Sequence, residues 1–119
     1  MDTRAISRMI ADTLSNGGGT YDRETLANVA GDFYALSIHP ECERVIVGAL
    51  IDVADVADAI ASIPADCHIG TWIDADSLYI DASTLIDRAS TTLQNVLALA
   101  REHGQLAIYD MARGIEIRA

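Results

Sequence analysis

Aromatic side chains and carboxylates alternate with aliphatic ones in the segments that are predicted to be strands. Because successive side chains of a strand point to opposite faces, an aliphatic face toward the helices leaves Trp72, Tyr79 and Tyr109 on the other face. Asp74 and Asp81 share that other face. Exposed aromatics ringed by polar groups are typical of protein-interface anchors, whereas aromatics that stack across a sheet, or that an N-terminal arm covers, only stiffen it. We therefore expect a partner-binding face here, with the structural role as its alternative.

An acidic middle segment is the second feature that could carry a function. Residues 45–87 contain eight Asp and no Lys or Arg, in a chain of net charge −10. A protein that binds nucleic acid without regard to sequence needs cationic side chains, so direct nucleic-acid binding is not expected. The segment either forms a solvated surface or engages a protein partner with a basic surface. The second interpretation, in its most specific form, predicts a DNA-mimic inhibitor that uses Asp52, Asp55, Asp58, Asp66, Asp74 and Asp76.

Two sets of side chains have the chemistry to bind a metal. His39, Cys42, Cys67 and His68 are potential zinc ligands, but Cys67 and His68 are adjacent and would point to opposite faces of a strand. The Asp74–Asp81 hairpin offers carboxylates to a hard cation without a positioned acid–base pair. We expect that the protein is not an enzyme and that it binds neither a metal ion nor a cofactor. The alternatives are a metal-dependent enzyme or metalloprotein that uses His68 and this hairpin, and a self-assembling structural subunit such as a homodimer.

The composition indicates one globular domain. The chain has 119 residues, of which 50% are hydrophobic and 22% are charged, so it can bury a core. Two cysteines are too few for a disulfide-stapled fold. The first residues lack a signal-peptide core, and no apolar run approaches the about 20 residues that span a bilayer. We expect a cytoplasmic protein with no membrane contact. All eight basic residues are arginine, a bias typical of GC-rich, for example actinobacterial, coding.

Periodicity predicts an α+β fold, in which an antiparallel sheet built from hairpins has helices packed on one face. Residues 1–119 form the single domain, and residues 1–19 supply an N-terminal helix followed by a flexible glycine-rich joint. Residues 20–30 fit either a helical turn or part of a hairpin. The predicted helices cover residues 3–14, about ten residues from Asp52, and residues 84–103. The predicted hairpins pair residues 33–39 with 44–50, 68–74 with 78–82, and 105–110 with 115–118.

Short polar residues mark the predicted ends of these helices. Asp2 and Asp52 stand at N-cap positions, where a carboxylate accepts hydrogen bonds from free backbone N–H groups. Thr84 and Asp87 have the spacing of a capping box, which predicts that the third helix begins there. Gly104 is suited to end it, because glycine adopts the left-handed conformation that follows many helices.

The C-terminal part of the chain resembles a set of small uncharacterised proteins encoded by bacteria, notably actinobacteria, and by phages and mobile elements. The resemblance covers residues 70–117 and is carried by Gly70-Thr71-Trp72, Leu78-Tyr79-Ile80-Asp81 and Gln105-Leu106-Ala107-Ile108-Tyr109-Asp110. Residues 70–75, Gly-Thr-Trp-Ile-Asp-Ala, are also similar to a segment of the ArdA antirestriction proteins, which are acidic DNA mimics. The first resemblance implies a common layout and no catalytic residues. With the acidic composition and the aromatic face, we expect a small accessory factor encoded by a phage or mobile element.

Overall fold

The computed structural model describes residues 2–48 and 51–119 and has an α+β fold. Within these residues, seven antiparallel strands combine with three α-helices. The helices are α1 (Thr3–Asn16), α2 (Val53–Ala61) and α3 (Leu93–Glu102). The strands are β1 (Gly18–Tyr21), β2 (Phe33–Leu36), β3 (Arg44–Val47), β4 (His68–Asp74), β5 (Ser77–Asp87), β6 (Ala107–Asp110) and β7 (Ile115–Arg118). The predicted fold class is confirmed.

The chain divides into two compact units, and it passes between them three times. The first unit contains Met1–Val29 and His39–Ala82, and the second contains Ala30–Ile38 and Ser83–Ala119. Strand β5 is common to both, because the boundary between Ala82 and Ser83 falls within its 11 residues. In the first unit the strand order is β1-β4-β5-β3, and in the second it is β5-β2-β6-β7.

The core of the first unit lies between its sheet and helices α1 and α2. Alternate residues of β4 and β5 point into it, as shown by Ile69, Leu78 and Ile80, each at most 1% exposed. Met9 of α1 and Ile60 of α2 close this core from the helix side, at 1% and 0% exposure. Both helices begin as predicted, because the carboxylates of Asp2 and Asp52 accept hydrogen bonds from the N–H groups of the residues two positions on.

A chain of hydroxyl groups joins helix α1 to strands β1 and β4 inside this unit. The Tyr21 hydroxyl donates to Asp12 Oδ2 at 2.5 Å, so its oxygen accepts from Thr13 Oγ1 at 3.2 Å. The Thr13 oxygen in turn accepts from Thr71 Oγ1 at 2.6 Å. Burial, and next the hydrogen bond to Asp12, raise the pKa of Tyr21. The network explains why the polar Thr13 is fully buried, whereas its apolar neighbour Leu14 is 56% exposed.

The second unit has a smaller core, which lies between helix α3 and strands β2 and β6. Tyr34 and Leu36 of β2 and Ile108 of β6 pack there against Val96 and Ala100 of α3. Helix α3 ends before Gly104, whose φ of +71° is left-handed, as predicted. The hairpin of β6 and β7 is also as predicted, with Ile108 opposite Ile117.

A buried carboxylate and one arginine tie the loops of the second unit together. Asp110 is 1% exposed and accepts from Arg88 Nη1 at 2.5 Å and from the Arg113 N–H at 3.1 Å. Arg88 also contacts Asp32 at 3.0 Å, and its guanidinium lies 4.8 Å from the centre of the Tyr34 ring. Burial acts to raise the pKa of Asp110, but the hydrogen bonds and charge of Arg88, with the Arg113 N–H, outweigh it and lower that pKa.

The predicted hairpin of residues 33–39 with 44–50 is wrong within the described residues. Strand β2 lies between β5 and β6, and β3 pairs with β5 instead, where Val45 is opposite Tyr79. A short connection permits a hairpin without requiring one, and the apolar residues of β2 are buried better between two strands of the second unit. The connection between β2 and β3 contains a short 3₁₀ helix at Pro40–Cys42.

The predicted start of the third helix at Thr84 is also wrong. Strand β5 continues to Asp87, whose carboxylate accepts from the Ala89 N–H and caps the 3₁₀ helix Arg88–Ser90. The N-cap of α3 is Thr92, which accepts from the Asn95 N–H at 3.2 Å. The alternation of apolar residues from Leu78 onward continues through this segment, so strand pairing with β2 overrides the local capping signal.

The predicted glycine-rich joint is a strand from its second glycine. Gly17 ends α1 in a left-handed conformation, with φ at +85°, and Gly18 then begins β1, which pairs with β4. A Cβ at Gly18 would lie 2.8 Å from the Thr71 carbonyl oxygen, so the close approach of these strands requires glycine there. Residues 20–30 contain the end of β1 and a turn in which the Asp22 carboxylate accepts from the N–H groups of Glu24 and Thr25.

We expect Thr13→Val to lower the free energy of unfolding of the first unit by about 1–3 kcal/mol, since it leaves the buried Thr71 hydroxyl without its partner. The measurement is urea unfolding followed by the fluorescence of Trp72, the only tryptophan. Thr71→Val completes a double-mutant cycle. If the effects of the two single substitutions simply add, the hydroxyl chain does not couple the helix to the sheet.

We expect the free energy of unfolding of the second unit to depend less on pH, in the acid range, in Asp110→Asn than in the wild type. The pKa of Asp110 is lowered from 3.8 on folding, so its contribution is present above that value and is lost as the pH falls through the folded pKa. The gap in urea midpoint between wild type and variant, measured by far-UV circular dichroism, should therefore narrow from pH 6 toward pH 3. Asp32→Asn is the matched control, because Asp32 contacts the same arginine with a side chain that is 71% exposed. A gap that is constant with pH would contradict the expectation.

Candidate functional site

Two aromatic rings stack on the sheet of the first unit, on the face opposite its core. The ring centres of Trp72 and Tyr79 are 4.0 Å apart, and their planes meet at 13°. Val45 of β3 is directly opposite Tyr79, and Gly18 of β1 is directly opposite Trp72. Val45, Tyr79 and Trp72 therefore form one row across β3, β5 and β4, here named the aromatic row.

The two outer members of the aromatic row are exposed because the helices of this unit pack on the opposite side of the sheet, while Tyr79 between them is half-buried. Trp72 is 40% exposed and Val45 is 52% exposed, while their strand neighbours Thr71 and Ile46 are buried or half-buried. Val47, on the same face as Val45, is 47% exposed. Gly18, which is opposite Trp72 on β1, adds no side chain to this face. The geometry that alternation predicts for Trp72 and Tyr79 is therefore observed, and the face is apolar over three strands.

Two carboxylates lie next to the aromatic row on the same face of the sheet. Asp81 lies two residues beyond Tyr79 on β5, and continuing the register of β3 by one residue places Glu43 opposite it. Burial, with a smaller contribution from the negative charge of Glu43, raises the pKa of Asp81 to about 7. Like charges directly opposite each other on a sheet are destabilising. None of the five ion pairs among the described side chains includes Asp81.

The other predicted acids also lie in the first unit, in several environments. Asp52 caps α2, Asp55 is in its first turn, and Asp58 is exposed about one turn later. Asp74 ends β4 on the face of Trp72, and the exposed Asp76 belongs to the following turn. The carboxylate of Asp66 lies beside the Cys67 thiol, which donates to it at 3.8 Å. Most of these acids are exposed as a DNA mimic requires, but the carboxylate of Asp52 is already engaged by the helix.

Tyr109, the third predicted aromatic anchor, belongs to the second unit. It is 46% exposed and lies opposite Glu116 on the face of β6 and β7 that carries charged residues. The structure therefore brings Trp72 and Tyr79 into contact, while Tyr109 is not part of the aromatic row.

The side chains considered as metal ligands do not converge. Within residues 2–48 and 51–119, no group of three His, Cys, Asp or Glu side chains is arranged to hold a metal ion. Cys42 Sγ donates to the Ser62 carbonyl oxygen at 3.5 Å, and Cys67 is part of the core. His68 lies near Asp22, whose pKa is lowered mainly by the N–H groups of Thr25 and Glu24. No contact in the described structure favours the metalloprotein alternative.

Sequence reasoning missed Val45 and Glu43, which extend the face onto a third strand. Their signal was present, because Glu43, Val45 and Val47 alternate with Arg44 and Ile46, but the wrong pairing partner hid it. A cavity of about 170 Å³ beside α1, lined in part by Arg8, Asp12 and Tyr21, was also not predicted. Small-molecule sites commonly occupy about 300–1,000 Å³, so this cavity is a weaker candidate than the exposed face.

We expect Asp81→Asn to increase stability at neutral and alkaline pH. The pKa of this group rises from 3.8 to about 7 on folding, so the stability linked to its protonated form is complete below pH 3.8 and is lost as the pH rises through 7. The full shift corresponds to at most about 4 kcal/mol, reduced because water reaches the carboxylate. Urea unfolding followed by Trp72 fluorescence between pH 4 and pH 8 measures it. Asp74→Asn, on the same face but exposed, is the control; equal pH profiles for wild type and Asp81→Asn would refute the assignment.

None of the helices in the described residues has the length and apolar character needed to cross a bilayer. In comparisons with known proteins, no family model, curated protein or solved structure matches the chain. The exposed face of the first unit is therefore the feature from which a function is inferred.

Proposed function

We propose that this chain is a small acidic, non-enzymatic binding protein that docks on the basic surface of a protein partner through the aromatic row and the adjoining carboxylates. The observation that carries the proposal is the exposure of Trp72, at 40%, on the face of Asp81 and Glu43, a carboxylate pair without a cation among the described side chains. The Trp72–Tyr79 stack alone would fit the structural role equally well, because stacked aromatics also stiffen a sheet. Resemblance to phage and mobile-element proteins fits an accessory factor of this kind.

The aromatic row supplies the apolar part of such a contact. Tryptophan and tyrosine are enriched among the residues that dominate binding energy, since they bury a large area with few rotatable bonds. The stack already fixes both rings, so binding would cost little side-chain entropy. The flanking Val45 and Val47 widen the apolar area without adding groups that need hydrogen bonds.

The carboxylate pair supplies the charged part and favours an arginine from the partner. A guanidinium stacks on an aromatic face and at the same time donates two hydrogen bonds to a carboxylate. Alternate residues along a strand are about 7 Å apart, so one arginine can lie over Tyr79 and reach Asp81. It would also relieve the repulsion between Asp81 and Glu43, which the isolated chain retains.

We expect Trp72→Ala to weaken partner binding by at least about 30-fold, the loss typical of a central interface aromatic. Tagged protein captures partners from a lysate of the source organism, and the dissociation constant of a stoichiometric partner is then measured with purified proteins. Leu14→Ala is the matched control, because Leu14 is a 56% exposed apolar residue of the same unit outside the aromatic row. Circular dichroism establishes that both variants fold.

The pH and salt dependence of binding distinguish docking through the aromatic row from binding as a DNA mimic. An arginine that pairs with Asp81 favours its ionised form, so affinity should rise as the pH increases from 6 to 8, and Asp81→Asn should remove that rise. Release of the partner by high salt, with no loss in Trp72→Ala, would instead support a DNA mimic that uses the exposed acids. A partner that is bound equally by wild type and Trp72→Ala, at either salt, would reject docking through the aromatic row.

A further inference from the structure

Strand β7 is an edge strand with one side that no described residue pairs. It pairs only with β6, from Ala107 opposite Arg118 to Asp110 opposite Ile115. The Ala119 N–H donates to the Leu106 carbonyl oxygen at 2.9 Å. This bond shows that the backbone groups of Ala119 point toward β6. Because these directions alternate along an antiparallel strand, Ile115 and Ile117 point their N–H and C=O groups toward β6. Glu116 and Arg118 point theirs outward.

The side chains of β7 are also sorted by face. Glu116 and Arg118 share the exposed face with Tyr109. Ile117 lies on the core face and packs against the core of the second unit, and Ile115 is 39% exposed beside it. The edge therefore offers two outward peptide groups, one charge of each sign on one face, and isoleucines on the other face.

We propose that β7 pairs with β7 of a second copy of this chain, antiparallel and centred on Ile117. This register places Glu116 of each copy directly opposite Arg118 of the other. The outward N–H and C=O groups of these two residues then face each other and can form four backbone hydrogen bonds, because they are hydrogen-bonded pairs of the new ladder. The side chain of Ile117 meets its own copy on the core face, so the apolar contact of Ile108 with Ile117 continues across the new strand pair.

Other antiparallel registers of the same two strands fail on charge or on backbone direction. A register centred on Glu116 puts two carboxylates opposite each other, and one centred on Arg118 puts two guanidinium groups opposite each other, both destabilising. A shift by one residue pairs outward groups with groups that already bond to β6. The internal contact of Arg118 with Glu116 is long, 3.8 Å, and both side chains are more than 60% exposed, so it competes weakly. This proposal does not depend on the aromatic row.

Charge-reversal variants test the register directly. Sedimentation velocity from micromolar to millimolar concentration should show the wild type rising from 12.7 kDa toward twice that mass. Glu116→Arg and Arg118→Glu should each weaken the dimer at least about tenfold, because each puts two pairs of like charges in register. The variant that carries both substitutions should recover it. A mixture of the two single variants should form a heterodimer, since the new arginine of one copy then faces the new glutamate of the other.

The competing outcomes each reject the proposal. A wild type that stays monomeric throughout the concentration range would show that β7 remains an unpaired edge. A dimer that survives both single reversals, but that Val45→Lys dissociates, would place the contact at β3, an edge strand of the first unit. All variants are compared only where their far-UV circular dichroism matches the wild type, so misfolding is not scored as dissociation.

Discussion

Strand β5 is the constraint on which both units of this protein depend. Its 11 residues run through both units, so that the same strand contributes Leu78 and Ile80 to one core and pairs with β2 at the edge of the other. A proline in Ser77–Ile80 would remove a ladder hydrogen bond from the first unit, and one in Thr84–Asp87 would remove a ladder hydrogen bond from the second. The partners of β5 also decide which faces remain exposed. Val45 extends the aromatic row because β3 pairs with Ser77–Ile80 of β5, while β2 pairs with Thr84–Asp87 of the same strand.

The sequence predicted well what short-range chemistry decides. Asp2 and Asp52 cap their helices because a carboxylate at that position reaches backbone N–H groups two residues away, whatever the rest of the chain does. The stacked pair of Trp72 and Tyr79 followed from the two-residue period of a strand and from a tight turn, which together set the register of the β4–β5 hairpin.

What the sequence could not decide was the choice between equally good local options. Thr84 and Asp87 have the spacing of a helix start, yet the same segment continues the alternation of a strand, and pairing with Phe33–Leu36 selects the strand. That partner is far away in the sequence, so no local signal reports it. The same holds for Glu43, which became part of the candidate site only through the pairing of β3 with β5. Thr13 was missed because its burial depends on hydroxyl groups of two strands, one of which lies far along the chain.

The interleaving of the two units has a consequence for how the chain folds during synthesis. Residues 30–38, which hold β2, are made early, but their pairing partners in β5 and β6 emerge only with residues 84–110. The apolar Tyr34-Ala35-Leu36 stretch therefore leaves the ribosome long before it can be covered, while β1, β3 and β4 can already assemble around the first part of β5. Non-local pairing of this kind slows folding and prolongs the exposure of an unpaired strand. Chaperones should therefore bind mainly to the second unit during synthesis, because its first strand, β2, is made long before the strands with which it pairs.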